Sequence, residues 1–288
     1  ALSACSMAPK NITPAAPVAT SWPVGDAYLV QSEASLPVVS HTEIFRDPRL
    51  QDLITRALEN NRDIRIAAAN LAAARAQVQV IRADQFPAVG VNTSATHTAR
   101  SPTSRIIGNG GVASTGSGDF WSYAAQGRIT NFELDFFGKF ANATEAQRNR
   151  ALATEAAART VRLGLIADLA QAWASYGADR DLLRLAESTA ANAQRSVELT
   201  SARLKGGVAP RTDLRQAEQV LETARGDVAR QGAALAQGAN VIRLLVGAEF
   251  QDTLFPTDMN EVVSSFATLP VGTRSEVLLR RPDVVEAE

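Results

Sequence analysis

The amino-acid sequence predicts a mainly α-helical fold that is interrupted by one long β-hairpin. The first observation is an alanine-rich stretch from Gly138 to Lys205 that contains no proline and keeps apolar residues at helical spacing. The second is the alternation of residue character over Phe86–Ala99 and Asp119–Phe132, which is typical of strands. The third is another helical stretch, 212–247, whose apolar positions recur in steps of three and four.

The first of these stretches has an unusual length. At about 1.5 Å per residue, an unbroken helix from Gly138 to Lys205 would be roughly 100 Å long. Helices of globular proteins usually end after about 10–14 residues, so this one is too long to belong to a compact core. We therefore expect a helix that crosses a distance.

The composition excludes several kinds of protein. Apolar residues make up 45% of the 288 residues, and 29 Lys and Arg balance 30 Asp and Glu, so the charge does not point to nucleic acid. One cysteine, Cys5, and two histidines, His41 and His97, argue against a metal site and exclude a disulfide within the chain. No stretch of about 18 uncharged apolar residues occurs, so we expect no transmembrane helix, and no motif calls for a cofactor.

The N-terminus has the features of a lipoprotein. Leu2-Ser3-Ala4-Cys5 resembles a bacterial lipobox, in which a signal peptidase cuts before the cysteine and lipid is attached to its thiol. We expect residues 1–5 to be the remnant of a lipoprotein signal and its lipobox, with Cys5 lipidated and held at a membrane by its acyl chains. Residues 6–46 would then form an extended strap. Ser6 after the cysteine resembles the pattern of Gram-negative lipoproteins, and this resemblance implies sorting to the outer membrane. The alternative is a chance tetrapeptide with a free thiol.

A first helix is predicted over 47–85. Asp47 is a suitable N-cap, Pro48 takes the first helical position, and Phe86-Pro87 ends the helix. The positions of its 3/4 pattern are Leu50, Leu53, Ile54, Ala57, Leu58, Ile64, Ala68, Leu71, Arg75, Val78 and Ile81.

A β-hairpin is predicted over 86–132, with a Gly- and Ser-rich loop at 100–118. One face would carry apolar or small residues: Val89, Val91, Thr93, Ala95, Trp121, Tyr123, Ala125, Gly127 and Ile129. The other would be mostly polar: Gly90, Asn92, Ser94, Thr96, Ser122, Gln126, Arg128 and Thr130. Strands of about 14 residues, tilted by about 45°, would cover the roughly 25–30 Å of a bilayer core.

We interpret this hairpin as a wall with lipid on one side and water on the other. Trp121 and Tyr123 lie near the loop end, where aromatic side chains form a girdle at the membrane interface. The alternative is a soluble hairpin packed on a globular core. The flanking sequence argues against it, because long helices lie on both sides.

The remaining segments form a helical pair and its continuation. A long helix is predicted within 133–205, a turn at 206–211, a return helix at 212–247 capped by Thr212 or Asp213, and an irregular segment at 248–271. The return helix has a narrow seam of small and apolar residues, typical of coiled coils: Leu214, Ala217, Leu221, Ala224, Val228, Gln231, Leu235, Gly238, Ile242 and Leu245.

The last segment of the sequence resembles an earlier segment in the first predicted helix. Leu58–Ala67 and Leu278–Ala287 place Asp, a β-branched residue and Ala in the same frame. The second copy begins where a helix–hairpin–helix–helix unit has just been completed, so 272–288 is expected to start a second structural repeat. We therefore expect the sequence to be a fragment of a longer protein.

Several segments together resemble a known family. They read Leu-Ser-Ala-Cys at 2–5, Phe-Arg-Asp-Pro-Arg-Leu at 45–50, Ala-Leu-Glu-Asn-Asn-Arg-Asp at 57–63, Phe-Glu-Leu-Asp-Phe-Phe-Gly at 132–138, Gly-Val-Ala-Pro-Arg-Thr-Asp-Leu-Arg-Gln-Ala at 207–217 and Leu-Arg-Arg-Pro-Asp-Val at 279–284. In this order they resemble the outer-membrane efflux factors, the TolC-like family, and especially its lipidated OprM-like branch.

The resemblance implies a trimeric channel in the outer membrane of a Gram-negative bacterium. Each family protomer contributes two repeats, and three protomers close a twelve-stranded β-barrel that continues as an α-helical barrel across the periplasm. A periplasmic adaptor and an inner-membrane pump of the RND type dock below, and small molecules or drugs pass out passively. Three chains with only the first repeat would supply six strands with open edges, which lipid does not tolerate.

The resemblance also assigns a role to the turn between the long helices. It would be the periplasmic tip, where Gly206, Gly207, Arg211, Asp213 and Arg215, with Arg203 and Lys205 nearby, are candidates for adaptor contact or gating. The alternative is ordinary solvated charge beside a turn.

Two other classes of protein remain as alternatives. A lipidated periplasmic adaptor also has an α-hairpin, but its β-domain flanks that hairpin, whereas here a β-hairpin lies between helices. An enzyme is not expected, because the sequence lacks nucleophile-elbow, zinc-protease and phosphate-loop motifs. Glu133 and Asp135 are interpreted as polar wall residues at the strand–helix junction rather than a catalytic pair. His97 is interpreted as a polar residue facing the lumen rather than a base.

Overall fold

The computed structural model describes residues 40–99, 106–108, 111–113, 119–130, 132–268 and 275–288. Cys5, the predicted strap up to residue 39 and most of the predicted loop at 100–118 lie outside the described residues. The described chain divides into two compact units. We call residues 75–149 the hairpin unit, and residues 40–74 with 150–288 the core unit.

The first predicted helix is in fact two helices. Ahead of them lies a short helix, α1, His41–Ile44, so the prediction of an extended strap was wrong there, because Ser40 and Glu43 form a capping box. The two helices are α2, Pro48–Asn60, and α3, Arg62–Ala83. Asp47 is the N-cap of α2, as predicted. The break comes at Asn61, whose Oδ1 accepts hydrogen bonds from the backbone N–H groups of Asp63 and Ile64 and so caps α3.

The packed face of α3 also differs from the prediction. Ala68 and Arg75 are exposed, and Ala67 and Ala74 are half-buried in their place. The half-buried positions then follow a regular 3/4 spacing: Ile64, Ala67, Leu71, Ala74, Val78 and Ile81.

The hairpin consists of β1, Ala88–Thr98, and β4, Phe120–Thr130, which pair antiparallel along their whole length. Each strand has 11 residues, fewer than predicted. β1 starts later than predicted because Phe86 still belongs to the turn that ends α3. The loop prediction was partly wrong, since β2, Ile106–Gly108, and β3, Gly111–Ala113, pair within it.

Two long helices follow. α4 runs from Lys139 to Lys205 and has 67 residues, and α5 runs from Arg211 to Val246 and has 36. All ten predicted seam positions of α5 are buried or half-buried, which confirms its pattern. Within the described residues, no helix is both long and apolar enough to span a membrane.

A hydrophobic core in the core unit joins α2, α4 and α5. Its buried side chains include Leu50, Leu53 and Ile54 from α2, Leu165, Leu169, Trp173 and Tyr176 from α4, and Ala239, Ile242 and Val246 from α5. A smaller cluster of Ala193, Leu221 and Ala224 continues the contact of α4 with α5 towards the turn between them. Burying one large apolar side chain contributes roughly 2 kcal/mol, so this core fixes the pairing of the helices.

The segment predicted as irregular over 248–271 contains helical structure. A short 3-10 turn forms at Asp252–Leu254, and α6 is Met259–Ser265. α4 holds this segment with its side chains, since Trp173 Nε1 donates to the carbonyl of Leu254 (3.1 Å) and Arg180 to that of Pro256 (3.2 Å). The contacts with α4 are long-range and have no local pattern, but the start of α6 did carry a signal, since Asp258 caps it by accepting a hydrogen bond from the N–H of Glu261 (2.8 Å).

The final segment contains a 3-10 turn, Ser275–Arg280, and α7, Pro282–Ala287. Arg281, between them, has an extended backbone with φ −63° and ψ 135°. Asn61, at the equivalent position of the predicted repeat, has φ −59° and ψ 137°. The backbone therefore breaks in the same way at both copies.

Candidate functional site

The hairpin presents one face that is mostly apolar or small. Its directly opposed pairs are Val89–Ile129, Val91–Gly127, Thr93–Ala125, Ala95–Tyr123 and His97–Trp121. These pairs reproduce the predicted set of apolar and small residues. The face is open within the described chain, since Val91 is 74% exposed and Tyr123 75%. An apolar surface of this kind marks contact with lipid or with another protein.

The opposite face of the hairpin is mostly polar. Its opposed pairs are Gly90–Arg128, Asn92–Gln126, Ser94–Ala124 and Thr96–Ser122. These residues are exposed as well. A two-stranded hairpin with both faces open is marginally stable in water, so this one needs further strands or a surrounding surface.

Three rings form a row at the loop end of the apolar face. The centroid of the His97 ring lies 4.8 Å from that of Trp121, and Trp121 stacks with Tyr123 at 6.0 Å. His97 Nε2 is 3.9 Å from Asp119 Oδ2. The prediction that His97 belongs to the polar face was therefore wrong, because its odd-numbered position places it directly across from Trp121.

The junction between β4 and α4 assigns structural roles to both predicted wall carboxylates. Asp135 caps the long helix, since its carboxylate accepts hydrogen bonds from the backbone N–H groups of Lys139 (2.7 Å), Phe140 (2.9 Å) and Ala141 (3.2 Å). Desolvation alone would raise the pKa of Asp135, but these hydrogen bonds outweigh it and lower the pKa. Glu133 pairs with Lys139, whose Nζ lies 2.9 Å from Glu133 Oε2.

The turn between α4 and α5 requires glycine at position 207 but not at position 206. Gly207 has φ +73°, a left-handed conformation that favours glycine, and ends α4 in the usual way. The N–H of Val208 bonds back to the carbonyl of Arg203 (3.0 Å), and that of Gly207 to Leu204 (3.0 Å). Gly206 is not strained, and a Cβ there would meet its nearest neighbours at 3.6 Å.

The charged residues around this turn are exposed. Arg203, Lys205, Arg211 and Asp213 point to solvent, and Arg215 pairs with Glu218 at 2.7 Å. The predicted cap was wrong: Pro210 is the N-cap of α5, and no side chain caps it. Pro210 holds extended backbone there and sets the first helical residue at Arg211, so Thr212 and Asp213 fall inside the first turn.

Arg49 organises a second group of charges in the core unit. Its Nη2 lies 2.8 Å from Asp47 Oδ2, it also pairs with Glu261, and its Nη1 donates to the carbonyl of Phe255 (3.3 Å). Burial alone would raise the pKa of Asp47, but hydrogen bonds from Arg49 outweigh it, and the pKa lies below its usual value. Hydrogen bonds from Thr257, together with the charge of Arg49, lower the pKa of Glu261.

Asp47, Arg49 and Glu261 join the start of α2 to α6 and are part of the fold. No group of three or more His, Cys, Asp or Glu side chains in the described ranges is arranged to hold a metal ion. The predicted lipidation site, Cys5, lies in the part of the chain that is not described.

The sequence is similar to a known protein family and to several of its characterised members. The family described as outer membrane efflux protein matches residues 53–248. The toluene efflux pump outer membrane protein TtgC of Pseudomonas putida is 35% identical over 290 residues, which cover all of this chain and 58% of that protein. The cation efflux system protein CusC of Escherichia coli K12 is 33% identical over 288 residues, covering all of this chain and 60% of CusC.

The fold is shared with solved structures as well. A membrane protein from Pseudomonas aeruginosa matches with a TM-score of 0.76 and 30% identity, over 98% of this chain and 61% of that protein. This chain therefore spans about three fifths of the length of the proteins that it matches. The matching family and TtgC are both described as outer-membrane efflux proteins, so the periplasmic-adaptor alternative is set aside.

Proposed function

This chain belongs to the outer membrane efflux protein family, and we propose that it forms part of the wall of a trimeric outer-membrane channel for small molecules. The observation that carries the proposal is the two-faced hairpin joined to two long helices. Such a hairpin suits a wall between lipid and water, and such helices suit a duct that crosses the periplasm.

The dimensions of the hairpin support a membrane wall. Eleven residues in each strand at about 3.4 Å per residue give roughly 37 Å, which a tilt of about 45° reduces to roughly 26 Å along the membrane normal. This matches the apolar band of outer-membrane barrels, which is about 25 Å tall. Trp121 and Tyr123 would lie at the outer interface of that band.

The open edges of the hairpin support assembly. Lipid offers no partners for the N–H and C=O groups of an unpaired strand, so β1 and β4 must pair with other strands. We propose that these strands come from other copies in a homotrimer and from further sequence of the same protein. The narrow seam of α5 is suited to the close helix packing of a helical barrel.

The partners and the driving force follow from the same proposal. Nothing in the sequence provides an energy source or a catalytic motif, so we propose a passive channel that is not an enzyme. It would be loaded by a periplasmic adaptor and an RND-type inner-membrane pump that dock at the turn of Gly206, Gly207, Arg211, Asp213 and Arg215. Selectivity would come from pore width and lining charge.

The localisation is proposed to be the outer membrane with the long helices in the periplasm. Cys5 would carry the lipid anchor. TtgC is named for toluene and CusC for cations at similar identity to this chain, so we propose small molecules as the cargo and no single chemical class.

Cysteine accessibility tests the hairpin orientation. In the full-length protein in intact outer membranes, Val91→Cys and Asn92→Cys place a thiol on each face, and a charged maleimide reacts only with thiols in water. We expect Asn92→Cys to be labelled and Val91→Cys to be protected, with the unsubstituted protein as the background for Cys5. Equal labelling of both would contradict a lipid-facing wall. The same membranes should contain a heat-labile, SDS-resistant trimer.

A further inference from the structure

A cleft of about 730 Å³ lies within the hairpin unit, beside the junctions of the helices and strands. Three aromatic rings, Phe86, Phe132 and Phe140, and two carboxylates, Asp84 and Glu133, line it. We call it the aromatic cleft. Phe86 is 61% exposed and Phe132 49%, so their rings are available to a ligand within the described structure.

One ammonium group of the protein contacts two residues that line the aromatic cleft. Lys139 Nζ lies 4.7 Å from the centroid of the Phe140 ring and 2.9 Å from Glu133 Oε2. A cation above an aromatic face and beside a carboxylate is held by the quadrupole of the ring and by direct charge attraction. Lys139 is an exposed residue beside the cleft, and its ammonium group contacts two of the residues that line it, Phe140 and Glu133.

The remaining groups leave room for a second cation. Asp84 and Glu133 are the two charged residues among the described lining, and Lys139 beside the cleft offsets one of these negative charges by its pair with Glu133. The Phe86 and Phe132 rings add apolar surface beside these charges. Pockets that bury small organic molecules measure about 300–1,000 Å³, so the size of the cleft suits such a ligand.

We propose that the aromatic cleft binds an apolar organic cation. The ligand's charged group would lie near Glu133 and Asp84, and its apolar body against the Phe rings. Two sources have this chemistry: a free organic cation and the amine headgroup of a membrane lipid. Binding needs no transport and stands apart from the channel function, whereas any use of the site in export rests on that proposed function.

Equilibrium dialysis with tetraphenylphosphonium tests the site on the purified full-length protein in lipid-free detergent micelles. Tetraphenylborate, an anion of the same shape, is the matched probe. We expect saturable binding of the phosphonium ion and none of the borate ion above the micelle background. Equal saturable binding of both ions would overturn the proposal.

Two substitutions should act in opposite directions. Glu133→Gln removes the carboxylate and should weaken phosphonium binding roughly five-fold, whereas Lys139→Gln removes the competing ammonium and should strengthen it by a similar factor. Glu145→Gln, at an exposed position of α4, is the control and should change nothing. If Glu133→Gln and Lys139→Gln both leave binding unchanged, the proposal is wrong.

One further variant separates loss of the site from misfolding, and a competition experiment identifies the source of the ligand. Phe132→Leu keeps an apolar side chain but removes a ring, and it should also weaken binding in protein with the circular dichroism of the parent. Retained full binding in that variant would count against the site. Competition by short-chain phosphatidylethanolamine supports a lipid amine as the ligand, and its absence supports a free cation. Loss of phosphonium binding would leave the cysteine-labelling result of the channel proposal untouched.

Discussion

Gly177 of α4 lies against Val262 of α6 so closely that a Cβ atom on Gly177 would come within 2.9 Å of Val262 Cγ2. The same Cβ would meet the backbone oxygen of Asp258 at 3.3 Å. Val262 is fully buried and β-branched, so it has little freedom to move. This contact brings α6 onto the long helix at the level of the hydrophobic core.

Gly177→Ala should therefore destabilise the protein. A Gly→Ala change inside a helix normally stabilises by about 1 kcal/mol, but here overpacking should outweigh it and cost roughly 1–3 kcal/mol. Gly164→Ala, in the same helix with nothing within 4 Å of the new atom, is the matched control. We expect the thermal unfolding midpoint to fall for Gly177→Ala and to rise slightly for Gly164→Ala. A rise for both would show that the contact with Val262 relaxes freely.

The two glycines of the turn between α4 and α5 should respond differently. Gly206→Leu adds bulk to an unstrained position and should leave stability and membrane levels near those of the parent. If the turn contacts the adaptor, export should nevertheless fall, which drug-susceptibility assays in a host that lacks its own copy would measure. Normal resistance with Gly206→Leu would count against a role for the tip.

Gly207→Ala provides the structural counterpart at the same turn. Its φ of +73° costs a residue with a side chain about 1–2 kcal/mol. We expect a lower unfolding midpoint for Gly207→Ala than for Gly206→Ala, measured side by side on the purified protein. Equal midpoints would mean that the turn changes its conformation to accept the side chain.

Much of this fold could be predicted from sequence periodicity. Spacing of 3.6 and of 2 residues directly reflects which side chains share a face, so the α5 seam and the two faces of the hairpin followed from it. The same spacing corrects the prediction for His97, because its odd-numbered position places it on the apolar face although its side chain is polar. Trp173 was not predicted as a core residue; it packs among the buried side chains of the core, and its indole N–H donates to the carbonyl of Leu254, a distant contact that no local pattern marks.

The candidate sites were harder to predict because they depend on contacts between distant segments. The aromatic cleft unites Phe86 with Phe132 and Phe140, and no local pattern joins them. The run Phe132-Glu133-Leu134-Asp135-Phe136-Phe137-Gly138-Lys139-Phe140 did carry a signal, since aromatic, acidic and basic residues are unusually dense there. That Asp135 caps the long helix required the structure.

Asn61→Ala should weaken the attachment of α2 and α3 to the end of α5. The change removes the cap of α3 and the hydrogen bond from Asn61 Nδ2 to the carbonyl of Leu245 (2.8 Å), and it leaves that acceptor without this donor. We expect a loss of about 1–3 kcal/mol in the free energy of unfolding. Asn60→Ala removes only a bond within α2 and is the neighbouring control. Chemical denaturation of both variants measures the free energy of unfolding. Equal losses in the two variants would contradict the prediction.

Acid should destabilise the contact of α2 with α6 through Asp47 and Glu261. Both carboxyls have folded-state pKa values below their ordinary values of 3.8 and 4.5, so their contribution is present above about pH 4.5 and is lost as the pH falls through the lower folded values. Asp47→Asn keeps a capping side chain but removes the charge that Arg49 pairs with. Asp47→Asn should therefore lower the unfolding midpoint near neutral pH. The gap between the midpoints of this variant and of the parent should shrink on acidification. Asp52→Asn, in an exposed pair with Arg56, is the control. A gap that stays constant from about pH 6 to about pH 3 would show that Asp47 acts through its shape and not its charge.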